Sequence, residues 1–150
     1  MTAAATDCAF CDIVSGRAPA IVIYEDEHAV AFPPIRPAAV GHTLVVPRHH
    51  LRDFWDGEPS EVTPVAAAAA VVGSAIRRAL RPEGMNLISS AGGVATQSVF
   101  HLHLHVIPRW ADDHIGPIWP VCPPREVPSR EHVAALIRAE LTGLGSGSGS

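Results

Sequence analysis

Three histidines, His101, His103 and His105, occupy every second position of the run VFHLHLHVIPR, alternating with Leu102, Leu104 and Val106. In a strand, residues i, i+2 and i+4 point to one face, so the imidazoles share a face and the apolar residues share the other. A solvated polar stripe is the plain reading, but three histidines on one face exceed what the frequency of that residue supplies by chance. A single metal held by all three is awkward. The outer pair is roughly 13 Å apart along a straight strand, whereas zinc–nitrogen bonds are about 2.0–2.1 Å. A division of labour fits better, with one imidazole acting while its neighbours set its tautomer, orientation and local field. Gln97 and Ser98 come immediately before the run and offer donors, and the preceding loop SSAGGVAT can turn backbone N–H groups toward an oxyanion.

The second pattern is Cys8-x-x-Cys11. That spacing is a metal knuckle, but two thiolates are half of a tetrahedral zinc site. A redox pair is the rival reading; such pairs follow a strand and open a helix, and here the pair precedes the first expected strand. Cys122 lies in a proline-rich stretch and reads as a plain thiol.

These residues need a scaffold. AIVIYEDEHAVAF, residues 20–32, reads as strand, acidic turn and strand. HTLVVP, from His42, is a third strand stopped by Pro47. A helix is expected from Ser60, its N-cap, to Leu80, and its alanine run at 66–70 gives a thin face that can lie close to a sheet. GMNLISSAG is a fourth strand and SVFHLHLHVIP a fifth. Residues 111–128 are proline-rich and irregular, and Ser129 caps a last short helix to about Leu141. A Gly/Ser tail over 142–150 follows a domain of residues 1–141. Strands joined by short turns, with one main helix between the third and fourth, argue an α+β fold with an antiparallel sheet of about five strands.

At 150 residues the chain is long enough for one domain with a real core, and its net charge of −4 gives no basic surface for a nucleic-acid polymer or an anionic membrane. All 11 basic residues are arginine. The opening MTAAATDC has no secretory pattern, and no apolar run approaches the roughly 20 residues needed to span a bilayer. The expected location is cytoplasmic, where the cysteines are reduced thiols or metal ligands.

HLHLHVI resembles the H-φ-H-φ-H-φ-φ signature of the histidine triad (HIT) family, where φ is apolar. CAFCDIVSGRAPAIVIYEDEHAVAF resembles that family's N-terminal segment, and GHTLVVPRHH its central strand. The likeness runs from about Asp7 to Arg109 and favours the Hint-like branch, bacterial zinc-containing type. It implies a HIT-like fold and a hydrolase or transferase acting at the α-phosphate of a nucleoside phosphoramidate or dinucleoside polyphosphate. His103 is then the nucleophile, forming a nucleotidyl-histidine. His105, Gln97 and Ser98 hold the phosphate and leaving group, with Ser90 near the phosphate, and His42 helps fix the His103 ring. Phe10, Ile13 and Ile35 line the base pocket. The resemblance completes the metal site as Cys8, Cys11, His50 and His101, a structural zinc, with His49 excluded. It also implies a homodimer.

Three departures touch substrate recognition. Pro34, in FPPIRP, stands where the family has an aspartate that reads the ribose hydroxyls. Ser90 replaces an asparagine and Thr96 a glycine, and Arg36 offers a cation close to the missing anion. Two other readings therefore remain: a non-catalytic nucleotide-binding module, and a zinc hydrolase using the triad around an open metal.

Overall fold

Every residue of strands β2 (Ala29–Phe32) and β3 (Thr43–Pro47) is buried. Their successive side chains enter two different cores. Ala29, Ala31 and Val45 join Leu102, Leu104 and Val106 on one face, while Val30, Phe32, Leu44 and Val46 join Cys8 and Phe10 on the other. A sheet covered on both faces accounts for continuous apolar runs where an alternation would mark a half-solvated strand. The computed structural model describes residues 7–120, 122 and 126–144. The sequence start at 1–6 and the end of the Gly/Ser tail at 145–150 lie outside the described residues.

The sheet has five strands in the order β1-β2-β3-β5-β4, all neighbours antiparallel. The edges are β1 (Tyr24–Glu25) and β4 (Gly84–Ile88), and β5 (Leu104–Arg109) lies between β3 and β4. Helix α2 (Pro59–Leu80) covers one face with Val65, Ala68, Ala69, Val72 and Ile76. The alanines let its axis approach the sheet, as the alanine run implied. By length and composition α2 could also cross a membrane, contrary to the expectation that no segment comes near this; here its buried face is the lid of a sheet core. Residues to Gly116 form one compact unit and those from Pro117 a second. In the second, α3 (Arg130–Leu144) is capped by Ser129, whose Oγ accepts from the His132 N–H at 3.2 Å.

The structure corrects several expected boundaries. α2 starts at Pro59, one residue before Ser60, with Glu58 ahead of it. Proline suits the first helical position because its missing N–H has no intrahelical partner there, and Glu61 Oε2 accepts from the Glu58 N–H at 2.8 Å. The first strand keeps two residues of its expected run, and the fifth begins at Leu104 instead of Ser98. A six-residue helix α1 (Ala9–Val14) was not expected at all. Cys8 caps it, its Sγ accepting from the Cys11 N–H at 3.4 Å. The CxxC pair therefore does open a helix, one half of the redox pattern, but among the described residues no strand precedes it.

Candidate active site and metal centre

The face opposite α2 carries α1, and there the triad comes together. Phe10 of α1 lies edge-on to His101 and His103, with ring centroids 5.9 and 5.3 Å away. Above it opens a cavity of about 810 Å³ lined by His42, His103, His105, Ser98, Phe10 and Ile13 among others. His101 shares the face but is fully buried and turned toward the cysteines.

The cavity imidazoles have tautomers fixed by groups of known polarity. The Ala38 N–H can only donate, and it donates to His42 Nδ1 at 3.0 Å. His42 therefore carries its proton on Nε2, which lies 2.9 Å from His105 Nδ1. His105 accepts there and keeps its own proton on Nε2, a donor with no described partner. At His103 the logic is inverted. Its Nδ1 lies 2.8 Å from the main-chain oxygen of His101, which can only accept, so Nδ1 holds the proton and the neutral ring has its lone pair on Nε2. Burial lowers the pKa of His42 below the usual imidazole value. Burial, with the neighbouring His103 and His42, takes that of His105 down to about 4. Both rings are neutral at pH 7. A lone pair on His103 therefore sits beside an N–H donor on His105, their ring centroids 4.9 Å apart.

The remaining expected residues divide. Ser98 lines the cavity and is the one hydroxyl among the described lining residues, and Ile35 lies at the rim, 100% exposed. Gln97 does not reach the cavity. Its amide is buried and fully used: Oε1 accepts from the Gly92 N–H at 2.8 Å, and Nε2 donates to the main-chain oxygens of Arg52 and Val99 at 2.8 and 3.2 Å. It pins the glycine loop, where Gly92 adopts φ +88°. Ser90 is half-buried and outside the cavity lining. His42 supports His105, not His103 as expected, because the two lie across the β3–β5 ladder, with Leu44 opposite His105. Leu44, Phe32, Val99, Ala20 and Ile21 also line the cavity; their apolar types resemble core and gave no signal. Pro33, Pro34 and Arg36 line it too, and among the described residues the lining contains no carboxylate.

Behind the triad, Cys8, Cys11, His50 and His101 bring one ligand atom each within 4.8 Å of one another. Cys8 Sγ and Cys11 Sγ are both 3.5 Å from His101 Nδ1, and Cys11 Sγ is 3.4 Å from His50 Nδ1. Tetrahedral zinc with bonds of about 2.3 Å to sulfur and 2.0–2.1 Å to nitrogen needs S···N edges of about 3.5 Å. The donor set fits, and four protein ligands leave no open position. His101 Nε2 donates to the Pro47 oxygen at 3.0 Å, which leaves its Nδ1 lone pair for a metal. Burial, then the adjacent Cys8, raises the pKa of the Cys11 thiol, so a cation is what makes it a thiolate. His49 stays out, 3.3 Å from Glu61, and Cys122 is exposed and not a member of the group.

An open five-stranded antiparallel sheet carrying an alternating histidine triad beside a Cys2His2 group defines the zinc-containing bacterial class of HIT fold. The HIT domain pattern matches residues 15–112, and the chain belongs to that family. It is 38% identical over 116 residues to the protein hit of Bacillus subtilis, covering 77% of this chain and 80% of that one. A zinc-bound histidine triad family protein from Mycobacterium smegmatis superposes with TM-score 0.70 at 42% identity, over 93% of this chain and 96% of its own. A HIT family hydrolase from Clostridium thermocellum does so with TM-score 0.65 at 32% identity, over 76% and 97%.

Proposed function

We propose that this protein is a nucleotide-processing hydrolase or transferase, phosphoramidase-like, acting at the α-phosphate through a nucleotidyl-histidine on His103. The observation that carries this reading is the His103 ring itself. Its Nδ1–H is committed to the His101 carbonyl at 2.8 Å, so the neutral imidazole keeps its lone pair on Nε2. That lone pair forms the N–P bond as the bond from phosphorus to the protonated amine breaks. The amine leaves with the bonding electrons. The cation that forms on the His103 ring is stabilised at Nδ1 by the His101 carbonyl dipole. The His105 Nε2–H and the Ser98 hydroxyl donate to the phosphoryl oxygens, where charge builds. Water then attacks phosphorus, the P–Nε2 bond breaks, and a proton passes to solvent. Covalent catalysis of this kind splits one displacement into two easier ones.

Phe10, Ile13 and Leu44 give the base an apolar wall. Zinc at the Cys2His2 group is structural. On this reading the protein works in the reducing cytoplasm, where Cys8 and Cys11 remain available to the metal, and as a homodimer. His103 and His105 lie outside the metal ligand group, which argues against a zinc hydrolase built on the triad. A binding module without turnover is favoured only by the cavity's lack of a carboxylate. It would bind nucleotides and leave a phosphoramidate intact. The test is hydrolysis of an adenosine phosphoramidate by His103→Ala. Turnover is expected to fall by about a thousandfold or more, as for loss of a nucleophile, with fold and metal retained. Retention of more than about a hundredth of the wild-type rate contradicts the reading.

A further inference from the structure

His101 belongs to two systems at once. Its ring is a member of the Cys2His2 group, and its main-chain oxygen accepts from His103 Nδ1. That oxygen and the Leu102 N–H are the two edges of one planar peptide group. The N–H edge donates to the Leu51 oxygen at 2.6 Å. Leu51 directly follows His50, which is also a member of the metal group. The hydrogen bond that holds this peptide plane is therefore flanked on both sides by a candidate metal ligand, His50 on one segment and His101 on the other.

No sheet ladder does this work. Pairing of β3 with β5 begins at Val45↔Leu104, and β4 meets β5 from His105 onward. Residues 101–103 lie beyond both. What else holds them includes the His101 ring on the Pro47 oxygen, Phe10 against the His101 and His103 rings, the buried Leu102 side chain, and Ser89 Oγ donating to the His103 oxygen at 3.1 Å. Among the described hydrogen bonds, the 101–102 peptide group is engaged by the Leu51 oxygen at its N–H edge and by the His103 ring at its oxygen edge.

We propose that ligation of zinc by Cys8, Cys11, His50 and His101 clamps the Leu51–Leu102 hydrogen bond and so fixes the peptide group that orients His103. The inference rests on His103 as the nucleophile. It makes His101 a positioning residue as well as a ligand, and it makes the metal matter to the chemistry without any open coordination position. Loss of the metal frees the 50–51 and 101–102 segments to separate. The His101 carbonyl then swings, and the His103 ring exchanges between two tautomers, one of which places its proton on the nucleophilic nitrogen.

The test compares zinc-loaded and metal-stripped protein at one fixed pH, using nitrogen-15-labelled histidine. Loaded protein is expected to show His103 protonated at Nδ1 and bare at Nε2, with an Nδ1 proton slow to exchange with water. Stripped protein is expected to show averaged nitrogen shifts and exchange at least tenfold faster. Its kcat on an adenosine phosphoramidate should drop about tenfold, with KM within twofold. Unchanged His103 nitrogen shifts and proton protection after stripping, with the circular dichroism of the fold intact, overturn the proposal. Should stripping unfold the chain, the same signals are read in Cys11→Asp at graded zinc occupancy. The protected fraction of His103 is expected to track occupancy, and a fraction independent of occupancy overturns the proposal. If His103 proves not to be the nucleophile, the rate comparison loses its meaning, but the nitrogen shifts still decide on the clamp.

Discussion

An imidazole attacks phosphorus only through a nitrogen that has lost its proton, and at His103 a carbonyl 2.8 Å from Nδ1 decides which nitrogen that is. The neighbouring His105 is kept neutral, its pKa lowered to about 4 by burial and by the cations that His103 and His42 can become. Between about pH 4 and 6.5 the unfolded chain binds a proton at this position that the folded chain does not, so stability rises with pH across that window. Denaturation midpoints should be highest above pH 6.5 and fall as pH drops toward 4. In His105→Gln the fall should be shallower, and an equal fall in both proteins would show that His105 contributes nothing to it. Pro34 gives a second test. Among the described residues the cavity lining has no carboxylate, so no charged acceptor there bonds the ribose hydroxyls. Such bonds contribute about 1.5–3 kcal/mol each, so Pro34→Asp should gain roughly tenfold in preference for adenosine over 2′,3′-dideoxyadenosine monophosphate, measured calorimetrically. The native protein should bind the two alike, and a native tenfold preference for ribose would contradict this. Side-chain types made the triad and the cysteine pair legible in the sequence, and the family resemblance added His50 and His101 as ligands. The Ala38 N–H, the Pro47 oxygen and the His101 oxygen were not legible, because any residue carries them. Gln97 had the right type for a phosphate donor, but its amide has three main-chain partners instead.

Elements place these residues through close approaches. Gly41 precedes His42 with φ +81°, and a Cβ there would run into Leu80 Cδ1 at the end of α2, with Pro108 Cγ at 3.3 Å. The positive φ favours glycine, whereas Leu80 Cδ1 is the far end of a flexible, exposed side chain that can turn aside. Gly41→Ala should cost on the order of 1–3 kcal/mol, read from chemical denaturation. It should also lower activity, because the loop it distorts carries the Ala38 N–H that sets the His42 tautomer. A loss under about 0.5 kcal/mol would show that the positive φ at position 41 carries no strain. The long helix and the apolar strands were readable from periodicity. Helix α1 was not, since six residues are too few for a helical pattern and Cys8 is no familiar cap. Nor was the late start of β5. Residues 98–103 look like strand, yet the His101 oxygen and the Leu102 N–H go to the His103 ring and to Leu51 instead of to a ladder.

Across the whole molecule, the Cys2His2 group joins the N-terminal arm, the turn after β3 and the approach to β5, segments distant in sequence. Purified protein should contain close to one zinc per chain by elemental analysis. Cys8→Ser should lose it and unfold at lower temperature, whereas His49→Ala should keep it; metal-free wild-type protein, freshly prepared, would remove the structural role assigned here. The chemistry itself is tested most directly by intact-mass analysis of protein quenched during turnover of an adenosine phosphoramidate. One adenylyl group is expected on a fraction of the chains, located on His103 by fragmentation and missing from His103→Ala. Turnover with no adduct at any quench time, or an adduct that persists in His103→Ala, would contradict nucleotidyl transfer through His103.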